Sequence, residues 1–352
     1  MAIKYLSGLR LTGTEAERLA LSGDTLTAIP QTSWKLLTKK TLTSSTRFFN
    51  TDAFAPKDNL MILMDIETDQ TNADPTMWFN DEGGNSGDGG TGDQEYAKRQ
   101  SFGGGSESTS ESAKYIFLNG GIADMRTFHI AHIRNIATKE KYVRVNSAEE
   151  TASGSTTMKI VETVGKWDNT SEAITKINFG NYQGGGSRNF KSGTEIVVLG
   201  CDDDETNTSG ASASPTHTDT NFWTESGRVS ATSVAEAHTG TMTGMKDYVW
   251  IQAYCKGGNT NDNFINFNDD EGGNYANLYS RSGGSYASDT GQGVGLRIAQ
   301  GTTTEQFCNM FMVNKETKRK LGFGYTVMDQ AGGDANRQMF SVKWNNSTDQ
   351  IT

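Results

Sequence analysis

The chain has 352 residues, a formal charge of −10 at pH 7, 34% hydrophobic residues, 40 glycines, 4 prolines and 3 cysteines. That charge disfavours a surface that wraps nucleic acid, because phosphate binding needs clustered Lys and Arg. Cys201, Cys255 and Cys308 are too few and too scattered for a disulfide framework, and no run approaches the length of a membrane helix.

The opening MAIKYLSGLRLTG lacks the continuous apolar core of an export signal. Residues 1–33 read as an arm. IKYLSGLRL has the character of an extended segment, with Ile3, Tyr5, Leu6, Leu9 and Leu11 as its contact residues. TGTEAERLAL reads as a short helix, its start marked by Thr14 and Glu17. Such a helix is too short to stand alone in water, so the arm is expected to dock on its own body or on a neighbouring subunit.

Residues 34–200 carry the apolar runs LMILMDI (60–66), TFHIAHIRN (127–135), MKIVETV (158–164) and EIVVLG (195–200), each bounded by Gly, Asn or Ser turns, and these predict strands. GGNSGDGGTGDQE between them has no apolar residue to bury and reads as a surface loop. Residues 201–222 are polar throughout and read as a linker. Residues 223–352 continue with YVWIQAYC (248–255), KLGFGYTVM (320–328) and QMFSVKW (338–344). In KLGFGYTVM, Leu321, Phe323, Tyr325 and Val327 fall on one face.

The second half repeats the first. VGKWDNTSEAIT (164–175) returns as VKWNNSTDQIT at a step of 177, TKEK (138–141) as TKRK (317–320) at 179, and DEGGN (81–85) as residues 270–274 at 189. Trp34 and Trp223 match at 189, Trp167 and Trp344 at 177, and these four tryptophans anchor the repeat. A duplication of this kind decides the architecture. The expected fold is all-β: two tandem antiparallel β-sandwiches of jelly-roll or concanavalin-like type (34–200 and 223–352) with an N-terminal arm. Residues 176–200 have no counterpart after Thr352. Two readings stand: a strand from another chain, such as IKYLSGLRL, completes the second sandwich, or the natural product is longer than this sequence.

Chemical signatures are sparse. His129 and His132 are the only close histidine pair, and a spacing of three sends strand side chains to opposite faces. Calcium would suit the acidic glycine loops, with Asp81, Glu82, Asp270 and Glu271 as the candidates, set against a plain solvated turn in which Gly supplies positive φ. Asp65 and Glu67 share one strand face, as paired glycosidase carboxylates do, but a solvent-facing edge is the simpler reading, with Gln252 and Tyr254 as the matched positions at a step of 187. No nucleophile elbow or phosphate loop is present, and no enzyme is expected. Trp78, Tyr96, Phe102, Tyr275, Tyr279 and Tyr286 are candidates for stacking on sugar rings, against core packing. Trp167 and Trp344 read as core plugs, and TKEK and TKRK as turns exposing charge.

KYLSGLRLTGTEAERLAL, NDEGGN, TKEK, VGKWDNTSEAITKI and SGTEIVVLG together resemble a group of virion-associated proteins of marine phages and other environmental viruses. The resemblance implies lectin-like or jelly-roll modules behind an anchoring N-terminal segment, and no catalytic residue. The expectation is a structural protein of a capsid, capsid decoration or fibre, assembled in the host cytoplasm into the virion. Its expected partners are copies of itself, other virion proteins and a host-surface glycan, with neither nucleic acid nor membrane. The alternatives are a carbohydrate-binding module or surface adhesin, and a filament subunit built by strand exchange.

Overall fold

The computed structural model describes residues 4–6, 9–11, 34–69, 73–84, 91, 93–102, 106–118, 126–151, 158–182, 188–202, 222–223, 226–230, 236–256, 263–281, 286–292, 295–299, 305–329 and 335–352. β1 (Lys4–Leu6) and β2 (Leu9–Leu11) pair with each other as a hairpin. The first unit then runs through β3 (Lys35–Thr41), β4 (Phe48–Asn50), β5 (Asn59–Glu67), β6 (Asp74–Phe79), β7 (Tyr96–Phe102), β8 (Ser106–Ala113), β9 (Ile116–Phe117), β10 (Arg126–Arg134), β11 (Lys141–Glu150), β12 (Met158–Trp167), β13 (Ile177–Tyr182) and β14 (Glu195–Cys201). The second unit holds β15 (Tyr248–Lys256), β16 (Asn263–Ile265), β17 (Tyr275–Arg281), β18 (Tyr286–Gln292), β19 (Leu296–Ala299), β20 (Glu305–Val313), β21 (Lys320–Asp329) and β22 (Ala335–Trp344). The helix expected over TGTEAERLAL, the side chains of the arm and most of the linker lie outside the described residues.

Every pairing is antiparallel, and the protein is all-β with two tandem sandwiches. Among the described residues the first unit has a large sheet in the order β3-β14-β5-β10-β11-β12-β7-β8 and a small one in the order β4-β13-β6-β9. The second has β15-β20-β21-β22-β17-β18 and β16-β19. In both, the chain passes repeatedly from one sheet to the other, which is jelly-roll winding.

The two large sheets lie face to face, so four layers stack through the molecule. This explains the unbroken apolar run of β5: Leu60, Ile62, Met64 and Ile66 enter the first unit's own core, while Met61 and Leu63 enter a core shared with Tyr248, Phe311, Leu321 and Phe323 of the second unit. A strand covered on both faces has no polar side to show. A third core fills the second sandwich around Tyr275, Met310, Phe340 and Trp344. In β21, Gly322 and Gly324 leave the space taken by Val342 and Phe340, on which a Cβ would press at 2.8 and 2.7 Å.

The duplication extends to individual hydrogen bonds. The buried Lys141 donates to the carbonyls of Ala137 (3.1 Å) and Asn169 (2.7 Å), and the buried Lys320 to those of Glu316 (3.4 Å) and Asn346 (3.0 Å). Each ammonium lies over a tryptophan, 5.2 Å from the Trp167 ring and 5.4 Å from the Trp344 ring. Tyr96 stacks on Trp167 and Tyr275 on Trp344, at interplanar angles of 10° and 13°. The Asn135 and Asn314 Oδ1 atoms accept the Ile174 and Ile351 amides, both at 2.6 Å. TKEK and TKRK are therefore not simply exposed turns. Their last lysine is inserted beneath a tryptophan, desolvated but held by loop carbonyls and the ring face.

Strand register corrects one alignment. Asp65 lies opposite Phe128 and Tyr254 opposite the matched Phe307, so Asp65 corresponds to Tyr254 and the step along this strand is 189, not 187.

Candidate functional site at the unit interface and the open edge

At one end of the shared interface three carboxylates of the first unit meet cations of the second. Asp65, fully buried, accepts from Arg126 Nε and Nη2 (2.9 and 2.6 Å), Lys315 (3.0 Å) and Lys318 (3.3 Å). Glu195 takes Lys39 and Lys315, both at 3.0 Å, and the Tyr248 hydroxyl at 3.0 Å. Glu150 faces Arg319 (3.0 Å) and Lys343 (3.1 Å). Burial alone would raise the Asp65 carboxyl, but Arg126, Lys315 and Lys318 outweigh it and hold it well below the usual carboxylate range. Glu195 is likewise lowered, burial being overcome chiefly by Lys315 and Lys39.

The expectation that Asp65 and Glu67 form a solvent-facing edge is thus corrected: Asp65 is at the centre of the ion network, and Glu67 pairs with Lys191 at 3.2 Å. Glu150, Glu195, Arg126 and the cations facing them escape a reading by motif. Two signals were available. One was a lone acid inside an apolar strand; the other was the change between copies from Ile136 and Glu140 to Lys315 and Arg319.

A pH dependence follows. Burial, opposed by Asp65, pushes the His129 imidazole down from 6.5 to about 3, and its ring nitrogens are engaged by Ser147 (2.6 Å) and Thr127 (2.8 Å). The unfolded chain therefore binds this proton first, and below pH 6.5 the fold loses up to about 1.4 kcal/mol per pH unit from this group. Asp65 and Glu195 are depressed, so their contribution is intact above their unfolded values of 3.8 and 4.5 and is lost as the pH falls through their folded ones. Urea midpoints should decline from pH 6.5 to 5 and more steeply below 4.5, and a flat profile would contradict the assignment.

At the other end of the interface a cavity of about 240 Å³ opens among Trp34, His132, Asn146, Trp250, Asn309 and Tyr325. Trp250 stacks on Phe311, 5.2 Å between centroids at 16°. The Tyr325 hydroxyl donates to Asn146 Oδ1 at 2.6 Å. His129 faces the first core and His132 this cavity, so the pair does not converge.

The remaining sequence candidates fall elsewhere. Trp78, Tyr96, Tyr275 and Tyr279 are all buried, which corrects their reading as sugar-stacking residues: none has a ring face open to a ligand. Their positions are set by internal bonds, as where the Tyr96 hydroxyl accepts the Phe79 amide and donates to the Glu82 carbonyl, both at 2.9 Å. Tyr286 packs on the shared core. Of the calcium candidates, Asp81 pairs with Lys176 (2.8 Å), Glu82 accepts from Asn169 (2.8 Å), and Asp270 accepts from the Trp344 indole (2.6 Å) and the Gly272 amide (2.8 Å). Glu271 is exposed. Among the described residues no group of three metal-ligating side chains converges. The repeated loop is a tight turn, with Asn80, Asp81, Asn268 and Asp269 at φ of 49°, 66°, 54° and 53° and a main-chain bond closing each turn, Glu82 to Phe79 and Asp270 to Phe267. The four repeat tryptophans divide into two pairs: Trp167 and Trp344 plug the two separate cores, while Trp34 and Trp223 both pack on the shared one.

The second unit has a further surface of interest. Tyr254 lies opposite Phe307, and Phe307 opposite Val327, forming a row across three strands with exposures of 66%, 44% and 48%. The row starts at β15, which is paired on one side only among the described residues. No protein family, curated protein or solved structure matches this chain.

Proposed function

We propose that this protein is a structural component of a virus particle, in a capsid, capsid decoration or fibre, and that it works by contact between protein surfaces. The virion setting rests on the resemblance of the N-terminal phrase and the repeat motifs. The contact role rests on the Tyr254, Phe307 and Val327 row beside an open sheet edge, since exposed apolar side chains in register across neighbouring strands mark interaction surfaces. The face-to-face sheets and their buried ions make the two units one stiff block, as a lattice or stalk element needs. Residues 1–33 would dock on a neighbouring copy or another virion protein.

Electron microscopy and mass photometry of the purified protein test this. Shells, spikes, fibres or defined oligomers are expected, and Phe307→Asp should reduce them to folded single chains. A chain that stays single at every concentration, alone and with particle fractions, would remove the reading. The cavity beside Trp250 favours a second reading, in which a host-surface sugar stacks on aromatic rings and bonds to Asn146, Asn309 and His132. Glycan-array binding that His132→Ala abolishes without lowering thermal stability would promote it.

A further inference from the structure

The first unit is a template for what the second unit lacks. β5 is held on one side by β10 and on the other by β14, whereas its counterpart β15 is held by β20 alone among the described residues. Burial follows pairing. β5 is buried from Leu60 to Ile66, while the matched positions, Val249 to Cys255, are all half-buried or exposed. The small sheet repeats the pattern: β6 lies between β13 and β9, but β16 pairs only with β19 and leaves Phe264 36% exposed.

The loss extends further. In the first unit β3 reaches the large sheet only through β14, and β4 reaches the small sheet only through β13. At the step of 189 their counterparts are residues 224–230 and 237–239. The described residues there, 226–230 and 236–240, run exposed and outside any strand. A missing pair of strands thus leaves four strands unformed. Nor is the open edge guarded. β15 has no proline, no bulge in its register with β20, and a single charged residue at its end, Lys256, whereas protected edges carry such features.

We propose that the second unit is an acceptor for a strand-donating polypeptide. One extended segment, aliphatic on both faces as Ile196 to Leu199 are, lies antiparallel on β15; a second, with the apolar alternation of Ile177 and Phe179, lies on β16. Both faces must be apolar because Ile251 and Ala253 adjoin the second unit's core while Tyr248 and Trp250 adjoin the shared one. On arrival the donor gives residues 226–230 and 236–240 a ladder, so they order as the counterparts of β3 and β4. Main-chain bonds supply the affinity and the alternating pockets the selectivity. This deepens the assembly reading by naming what the open edge takes, and its test reads the edge itself: a protein that forms no particle can still satisfy it, and a particle joined elsewhere can still fail it.

The probe is a peptide of residues 176–201 with Cys201→Ser, added to the full 352-residue chain. In a second arm the same residues are fused after Thr352, where the repeat would place them. By hydrogen exchange, amides of 248–256 should slow by at least about tenfold in both arms, with new protection at 226–230 and 236–240 and none added at 59–67. A peptide carrying Val197→Pro should have no effect. The proposal is overturned if 248–256 already exchange as slowly as 59–67 in the chain alone. It is equally overturned if neither arm slows them, or if they slow while 226–230 and 236–240 do not.

Discussion

Asp65→Asn is expected to destabilise the protein by about 3–5 kcal/mol, the range for breaking a buried ion pair by removing one partner. The carboxylate has no exposure, and the guanidinium of Arg126 has 5%. Without the anion, Arg126, Lys315 and Lys318 face one another in a space that water does not reach. The effect should concentrate on the contact between the units, because Lys315 and Lys318 come from the second and Asp65 from the first. Urea unfolding followed by both tryptophan fluorescence and circular dichroism would read it. Divergence of the two signals in the mutant, where the parent shows one transition, would indicate that the units had come apart. The exposed Lys166 and Glu140 pair is the control, and Glu140→Gln should leave the midpoint unmoved. A small effect of Asp65→Asn would mean that the network is wetter than its geometry indicates.

Trp344→Ala should cost about 3–5 kcal/mol, as large-to-small core substitutions of aromatic residues do. More than volume is lost. The ring lies 5.4 Å from the Lys320 ammonium, its indole N–H donates to Asp270 at 2.6 Å, and Tyr275 stacks on it. Removing it leaves a buried cation with two carbonyls and no aromatic face. Trp167→Ala removes the equivalent node from the first unit, where Glu95 accepts the indole at 3.1 Å. Because the second unit has fewer paired strands, Trp344→Ala should lower the calorimetric midpoint further than Trp167→Ala. Equal shifts would argue that the two units unfold only together.

Much of the fold was legible because duplication is robust to local error. The matched tryptophans do occupy like surroundings, and the runs over 60–66, 127–135, 158–164, 195–200, 248–255, 320–328 and 338–344 all fall in strands. What escaped depends on long-range placement. Lys141 and Lys320 read as surface residues from their neighbours, and only the folded loops bring two carbonyls and a ring to each ammonium. Tyr96 and Tyr275 stand next to glycine turns, where a sugar-binding ring would also stand; their burial is decided by the second sheet. Asp65 was assigned to solvent because a strand normally has one wet face, an assumption that fails when a second sandwich covers it. The open edge was visible as a gap in the alignment, but the loss of the β3 and β4 counterparts needed the strand order.

That strand order also constrains when the first unit can close. β3 is bound to the rest of its sheet through β14, with the Thr41 hydroxyl and the Glu195 carboxylate joined across 154 positions of chain. On the ribosome, therefore, the earliest strand of the body must wait for the last, and the nascent first unit passes through a stage with the same two edges bare that the second unit displays. Pulse labelling during refolding should find the amides of residues 35–41 protected last, after those of 126–134 and 141–150.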